Sequence, residues 1–363
     1  MESTLNILKE FGIDDKDLVF VTDNAIAMKS AFKNKIWMGC SSHNLNLVQK
    51  HAFKDLNGIL EPIKLLLHHA KELVTWSKRS KDVAELKTTL KQCIEVRWDS
   101  RYNMLQSISD NYLSLKELIR KKPTGKVAEH LQYIPEDILK KLLFLLEPLK
   151  TTRISLCQEK EATIHLVLPA KMFLLEFYGE MSTDEAWEAE LKKRIRIQLK
   201  QYLLIHQLHQ FALLLLPSHR GMNKIVTAAE REDLIEKLIL VIGPDTPVST
   251  SETQESRTCS SRNILASFRD ASASNSAGLG EVRRYMAAFF NEEQQDLAPS
   301  KFWHTQKHVF PKLAAYANHL FSIPATNLSS ERNFNYASLT ISDRRSRLEP
   351  LTVDKLLFLR ANC

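Results

Sequence analysis

The chain has 363 residues, is 44% hydrophobic, and carries 50 Lys+Arg against 43 Asp+Glu, for a net charge of +7 and a pI near 9.0. That length leaves room for two or three domains and a sizeable core, and the mild basic surplus is compatible with a polyanionic partner. Five scattered cysteines without a CxxC pair exclude a disulfide framework and a conventional zinc finger. Nine glycines, with no GxGxxG or GxxxxGK[ST], argue against a glycine-rich nucleotide loop. With no apolar leader and no apolar run of about 18 residues, a soluble intracellular chain without a membrane partner is expected.

In chain order, "STLNILKEFGI" spaces Leu5, Leu8 and Phe11 as one helix face, and "LVFV" (18–21) is a short apolar run of the kind a buried strand shows. "NAIAMKSAF" is helical again, and "KIWMGC" (35–40) predicts a second strand. Helix, strand, helix, strand is an α/β unit whose crossover makes residues 18–22 and 36–40 adjacent and parallel. From Asn44 the pattern is helical, with further helices predicted at 103–121, 136–157, 163–179, 184–216 and 228–242. Residues 244–280, rich in Ser, Thr, Gly and Pro, predict a linker or loop. A helix at 280–291 and a final block follow, in which 301–363 holds nine Lys/Arg against four Asp/Glu.

Three stretches carry candidate chemistry. Asp23 directly follows "LVFVT", at the carboxyl end of a predicted strand where α/β sheets place ligands; it is also well placed to cap the next helix. "CSSHNLNL" sets Cys40 and His43 three apart across a strand end and a helix start. A structural zinc site wants four ligands and no second pair follows, so His43 is read as a hydrogen-bonding histidine that orients a neighbour, and no zinc is expected. "EVRWDSRYNML" gathers Arg97, Trp98, Asp99, Arg101 and Tyr102 at a helix junction. Trp98 there is either a core anchor or an aromatic on which an unstacked base lies while arginines hold phosphates. Near the end, Glu331 sits in the first turn of a predicted helix and is followed by Arg344, Arg345 and Arg347. It is either a carboxylate favoured by the helix dipole or a metal ligand beside a nucleic-acid backbone.

Taken in order, Asp23, "CSSHNLNL", "RWDSRYNML", a long helical stretch and "FWHTQKHVFPKLAAYANHLFSIPATNLSSERNFNYASLTISDRRSRLEPLTVDKLLFLRAN" resemble the hAT transposase superfamily, the final block being the most specific part. The resemblance implies an α+β, mainly helical fold: a partial ribonuclease-H-like α/β domain interrupted by a large all-helical insertion. It divides the chain into a first part of the catalytic core (1–95), the insertion (96–243), the linker (244–280) and a C-terminal dimerisation region completing the core (281–363). It further implies an Asp-Asp-Glu set holding Mg²⁺ for phosphodiester chemistry, Asp23 matching the second carboxylate and Glu331 the third, with His43 near the site. Trp98, Arg97, Arg101, Arg344, Arg345 and Arg347 would then meet DNA.

Leu313, Phe321, Leu348, Leu351, Leu356, Leu357 and Leu359 are candidates for contacts across a homodimer, or equally for packing within one chain. The first aspartate of the triad is expected before the start of this sequence. The expectation is therefore a nuclear, DNA-associating, self-associating transposase-derived protein with an incomplete metal site, inactive as this chain. The alternatives are a fragment of an active cut-and-paste transposase and a helical interaction scaffold with no DNA role.

Overall fold

The computed structural model describes residues 2–13, 18–80, 86–94, 99–243, 280–341 and 348–362. The predicted linker, apart from Gly280, lies outside the described residues, as do Arg97, Trp98, Arg344, Arg345 and Arg347. The chain is mainly helical and forms two compact units: Met1–His206 with Pro324–Cys363, and Gln207–Ile323.

The first unit opens with helix α1 (Glu2–Glu10) and the predicted α/β unit: β1 (Val19–Thr22), α2 (Ile26–Ala31) and β2 (Ile36–Gly39). Branched and aromatic residues favour the pleated conformation. The strands pair in parallel, with Val19 opposite Ile36, Phe20 opposite Trp37, Val21 opposite Met38 and Thr22 opposite Gly39. Phe20 stacks on Phe32 with ring centroids 4.2 Å apart, which covers one face of this small sheet.

Helices α3 (Ser41–Ala52), α4 (Glu61–Ser77), α5 (Ser100–Asp110), α6 (Tyr112–Lys121), α7 (Lys126–Leu131), α8 (Glu136–Leu156), α9 (Val167–Phe177) and α10 (Ala186–Tyr202) follow. Their leucine-rich faces build one core. In it α3 lies against α8 and α10, α4 against α5 and α7, and α5 against α8, through residues such as Leu45, Val48, Leu73, Leu105, Leu146 and Ile195. Each fully buried leucine or isoleucine contributes about 1.5–3 kcal/mol relative to exposure, so this core dominates the unit's stability.

Two long predicted helices are each divided. The 103–121 run breaks at Asn111, whose buried side-chain amide donates to the Thr88 carbonyl (3.0 Å) and hydroxyl (2.9 Å), while its oxygen accepts the Thr88 amide (3.1 Å). A side chain that satisfies a neighbouring backbone competes with the helix it sits in. The 184–216 run ends at Tyr202 and resumes in the second unit.

That second unit contains α11 (Gln207–Leu214), α12 (Ala228–Ile242), α13 (Glu281–Ala287), α14 (Glu292–Gln295), α15 (Pro299–Gln306) and α16 (Pro311–Phe321). Its centre is aromatic. Fully buried Trp303 and Tyr285 lie with centroids 5.1 Å apart, the Trp303 indole donating to the Leu215 carbonyl (3.1 Å). Buried Glu281 accepts the Lys312 (3.2 Å) and Leu313 (2.8 Å) amides, satisfying donors that the start of α16 leaves unpaired. Leu313 and Phe321 are buried in this unit. Of the two alternatives left open for them, this is packing within one chain: they lie on the inward face of α16.

The chain returns to the first unit through α17 (Leu328–Thr340) and α18 (Pro350–Asn362), where the Arg360 guanidinium lies 3.8 Å over the Tyr336 ring. On α18, Val353 is buried and Leu357 half-buried, one turn apart, and Leu348 just before the helix is half-buried. Leu351 (70%), Leu359 (55%) and Leu356 (44%) are exposed, as are Phe358 (67%) and, on α17, Phe334 (75%). Among the described residues no helix is long and apolar enough to cross a membrane.

Candidate functional site

The site forms where β1 and β2 end. Parallel pairing places Thr22 beside Gly39, and the ladder continues one step further as the Cys40 amide donates to the Thr22 carbonyl (2.6 Å). Thr22 Oγ1 accepts the Trp37 indole N–H (2.8 Å) and donates to the Asp23 carbonyl (2.9 Å), fixing the backbone on which Asp23 leaves the strand. Asp23 Oδ1 accepts the Ala25 amide (3.1 Å), an Asx turn two residues on; the N-cap of α2 itself is Ala25. Next in sequence, Asn24 donates to Asn44 Oδ1 (2.5 Å), tying the Asp23 loop to the first turn of α3. That clasp passes over Gly39, where a Cβ would stand 2.6 Å from Asn24 Oδ1 and 3.3 Å from Asn44 Nδ2.

Glu331 reaches the same place through a clamp around Cys40. The Ser41 amide donates to the Ala325 carbonyl (3.0 Å), and the Ala325 amide to buried Thr163 Oγ1 (2.9 Å). Cys40 Sγ accepts two amides at 3.5 Å, from His43 within α3 and from Asn327 at the start of α17. The cysteine thus caps α3 and pins α17 in one stroke. Burial pushes its thiol up to about 11; the His43 and Asn327 amides oppose that, and the charge of Glu331 adds to it. Cys40 is therefore a neutral thiol at physiological pH, suited to accepting weak hydrogen bonds.

The result is a convergence of residues from both ends of the chain. Glu331, half-buried in the first turn of α17, has its pKa raised by burial and then by the negative charge of Asp23. His43, on α3, is held below the ordinary histidine range by burial and by Lys50, while Asp23 pulls it upward. The charge of Asp23 thus acts on both Glu331 and His43.

Two carboxylates are the hard oxygen donors Mg²⁺ prefers, and a cation would relieve their repulsion; in kind they fit. In number they fall short: among the described residues no three His, Cys, Asp or Glu side chains are grouped as a metal ion needs.

Glu331→Gln tests the coupling. Because the folded state raises the Glu331 pKa, the folded protein holds that proton more tightly than the unfolded chain does. The ionised carboxylate therefore costs stability at neutral pH; the cost is absent below the unfolded pKa and complete above the raised one. The variant is expected to melt higher than the wild type at about pH 7 and at the same temperature near about pH 3.5, where both states are protonated. Thermal melts across that range check it, and a pH-independent difference would remove the electrostatic coupling.

Other predicted residues lie elsewhere. The Arg101 guanidinium stacks 4.4 Å over the Phe53 ring, at the end of α3. Asp99, the residue after Trp98, adopts a left-handed backbone (φ 55°) and forms an ion pair with Arg153 of α8, both side chains largely buried. Sequence reading missed this pair, and it missed Asn24, Asn44, Thr163 and Asn327. The adjacency of Asn24 to Asp23 was a usable local signal; Thr163 and Arg153 offered none.

Residues 281–363 match the hAT family C-terminal dimerisation region. Over most of its length the chain is also similar to transposase and zinc finger proteins. Zinc finger protein 618 of Homo sapiens is 24% identical over 370 residues, covering 98% of this chain and 37% of that protein. The transposable element Hobo transposase of Drosophila melanogaster is 24% identical over 383 residues, covering 90% of this chain and 57% of the transposase. Zinc finger BED domain-containing protein 4 of Homo sapiens is 22% identical over 366 residues, covering 95% of this chain and 31% of that protein. The chain thus spans between 31% and 57% of these relatives' lengths.

Proposed function

We propose that this chain is a transposase-derived nuclear protein that self-associates through its C-terminal region and associates with DNA. On this reading the Asp23 end of β1, α3, the connecting helix α4 and α17 are parts of a ribonuclease-H-like core, and α5–α12 belong to its helical insertion. Asp23 and Glu331 are two members of an Asp-Asp-Glu set, too few for two-metal phosphodiester chemistry by this chain. Mg²⁺, if bound, would be held by their oxygens and would supply Lewis-acid stabilisation of phosphate charge.

The single observation that supports the reading is the clamp at Cys40, whose amide donates to the Thr22 carbonyl and whose Sγ accepts the Asn327 amide, so that the strand end before Asp23 and the start of the helix bearing Glu331 meet one residue. Self-association is supported by the dimerisation-region match and by the exposed apolar side chains of α17 and α18, since patches of this kind on soluble proteins mark interaction surfaces. DNA association is supported by the basic surplus of the last block and by the transposase relative.

Sedimentation velocity and anisotropy with labelled duplex and hairpin DNA test this together. A dimer is expected, with DNA affinity falling steeply from about 50 to 200 mM salt. Replacing Arg344, Arg345 and Arg347 by alanine should lower the slope of log affinity against log salt by up to about 0.9 for each phosphate left without its arginine. A monomer whose retention on DNA ignores salt would favour the scaffold alternative. Mg²⁺-dependent nicking by this chain would show the site to be sufficient for catalysis.

A further inference from the structure

A second cluster of titratable groups lies on the first unit, away from the β-strand ends and unused by the reading above. It begins with "LLLHHAKEL" on α4, where His68 and His69 sit next to each other at the polar edge of an otherwise leucine-rich helix. His69 faces α7, and its Nδ1 lies 3.1 Å from Nδ1 of His130. Tyr133 stacks on the His69 ring, with centroids 4.1 Å apart and planes within 8°, which fixes the ring's orientation. His130 is buried by α4 and α7; His69 is half-buried. The pair borders an open cavity of about 690 Å³ whose lining includes His68, Glu72, Trp76, Arg79, Lys126 and Glu129.

A hydrogen bond between two Nδ1 atoms needs one protonated and one bare nitrogen, so the rings adopt opposite tautomers. The separation has a second meaning. Two nitrogens bound to one ion at about 2.0–2.1 Å, at angles from square to tetrahedral, lie about 2.9–3.4 Å apart. The two Nδ1 atoms already stand at that distance, held by separate helices and a stacked tyrosine. Glu72 and Glu129 each act electrostatically on both rings and lie within the same cavity wall.

We propose that His69 and His130 bind a borderline transition-metal ion of the Zn²⁺, Ni²⁺ or Cu²⁺ class through their Nδ1 atoms. No third ligating side chain is grouped with them among the described residues, so solvent completes the shell. Imidazole nitrogen suits these ions, whereas Mg²⁺ selects oxygen. On binding, the ring that donates the hydrogen bond moves its proton from Nδ1 to Nε2, so both Nδ1 lone pairs face the ion and no net charge changes. Burial holds both histidines below their ordinary range, so near pH 7 neither carries an extra proton for the metal to displace. The charged groups of the cavity wall, Glu72, Glu129, Arg79 and Lys126, sum to zero, so the surround does not repel a cation. The ion would join α4 to α7, a helix of six residues that draws its stability from packing.

Isothermal titration of the full chain with ZnCl₂ near pH 7.5 tests the site, with His304→Asn on the exposed face of α15 as control. His69→Asn and His130→Asn keep an amide at the Nδ1 position while removing the imidazole ligand. Wild type and control are expected to bind one equivalent alike, and each Asn variant to bind at least about tenfold more weakly. Zn²⁺ should raise the melting temperature of the wild type and not of the two variants. Should a variant fail to fold, Ni²⁺ quenching of indole emission decides: it should be strong in wild type and largely lost in Trp76→Phe. Absence of Zn²⁺ binding to the wild type, or binding unchanged in both Asn variants, overturns the proposal. It stands apart from the Asp23–Glu331 reading, which Mg²⁺ probes and Zn²⁺ at nitrogen ligands does not.

Discussion

Replacing Arg153 by methionine is expected to cost the fold about 3 kcal/mol, the low end of the range for breaking a buried ion pair by removing one partner. The magnitude follows from what is left behind. Asp99 is only 13% exposed on its side chain and Arg153 17%, so an orphaned Asp99 carboxylate cannot recover its hydration without moving. It also cannot move freely, because Asp99 holds a left-handed backbone that begins α5, a conformation Asp and Asn tolerate and most residues resist. Methionine conserves the volume of the arginine stem, which separates the charge effect from a cavity. The double variant Asp99→Asn with Arg153→Met removes both charges and keeps a residue suited to positive φ, so it should recover most of the loss. Urea denaturation of the four proteins gives the coupling energy. A single-variant cost below about 1 kcal/mol would mean the pair behaves as a solvated surface contact.

That pair illustrates what could be read from the sequence and what could not. Patterns with a local cause were legible. "LVFV" and "KIWMGC" read as strands because consecutive apolar residues suit a sheet covered on both sides, and one intervening helix forces a parallel pairing, which is the pairing observed. Helical spans with a leucine face were legible for the same reason. Helix breaks were not: Asn111 ends α5 because it bonds to Thr88, a partner no local pattern reveals.

The approach of the start of α17 to the end of β2 had no local signature either. It rests on Ser41 meeting Ala325, Ala325 meeting Thr163 and Asn327 meeting Cys40, contacts between segments far apart in the chain, and only the order of family motifs suggested it. Leu313 and Phe321 show a different limit. Their apolar spacing was legible, yet periodicity shows that a face is buried and does not say whether against the same chain or another. His69 and His130 were passed over because single histidines on helices carry no spacing; their significance is purely one of tertiary distance.

Gly39→Ala is expected to destabilise the protein by about 1–3 kcal/mol, the usual cost of forcing atoms into a filled site. Its backbone is not in a region reserved for glycine; the constraint is space. An added Cβ would stand 2.6 Å from Asn24 Oδ1 and 3.3 Å from Asn44 Nδ2, so the Asn24–Asn44 bond must give way. Asn24 is a side chain and can swing out, but in doing so it releases the loop that aims Asp23. The substitution should therefore be felt at Glu331. With Asp23 displaced, the Glu331 pKa should fall toward its ordinary value, leaving burial as the chief remaining cause of the upward shift. The pH window in which Glu331→Gln stabilises the wild type should shrink correspondingly in the Gly39→Ala background. Adding Asn24→Ala removes the clashing oxygen, so the double variant should regain the packing part of the loss while the Glu331 shift stays reduced, because the clasp to Asn44 is gone in both. Paired thermal melts and carboxylate titration by NMR separate the two effects. A Gly39→Ala protein with wild-type stability and an unshifted Glu331 would show that the Asn24–Asn44 clasp does not position Asp23.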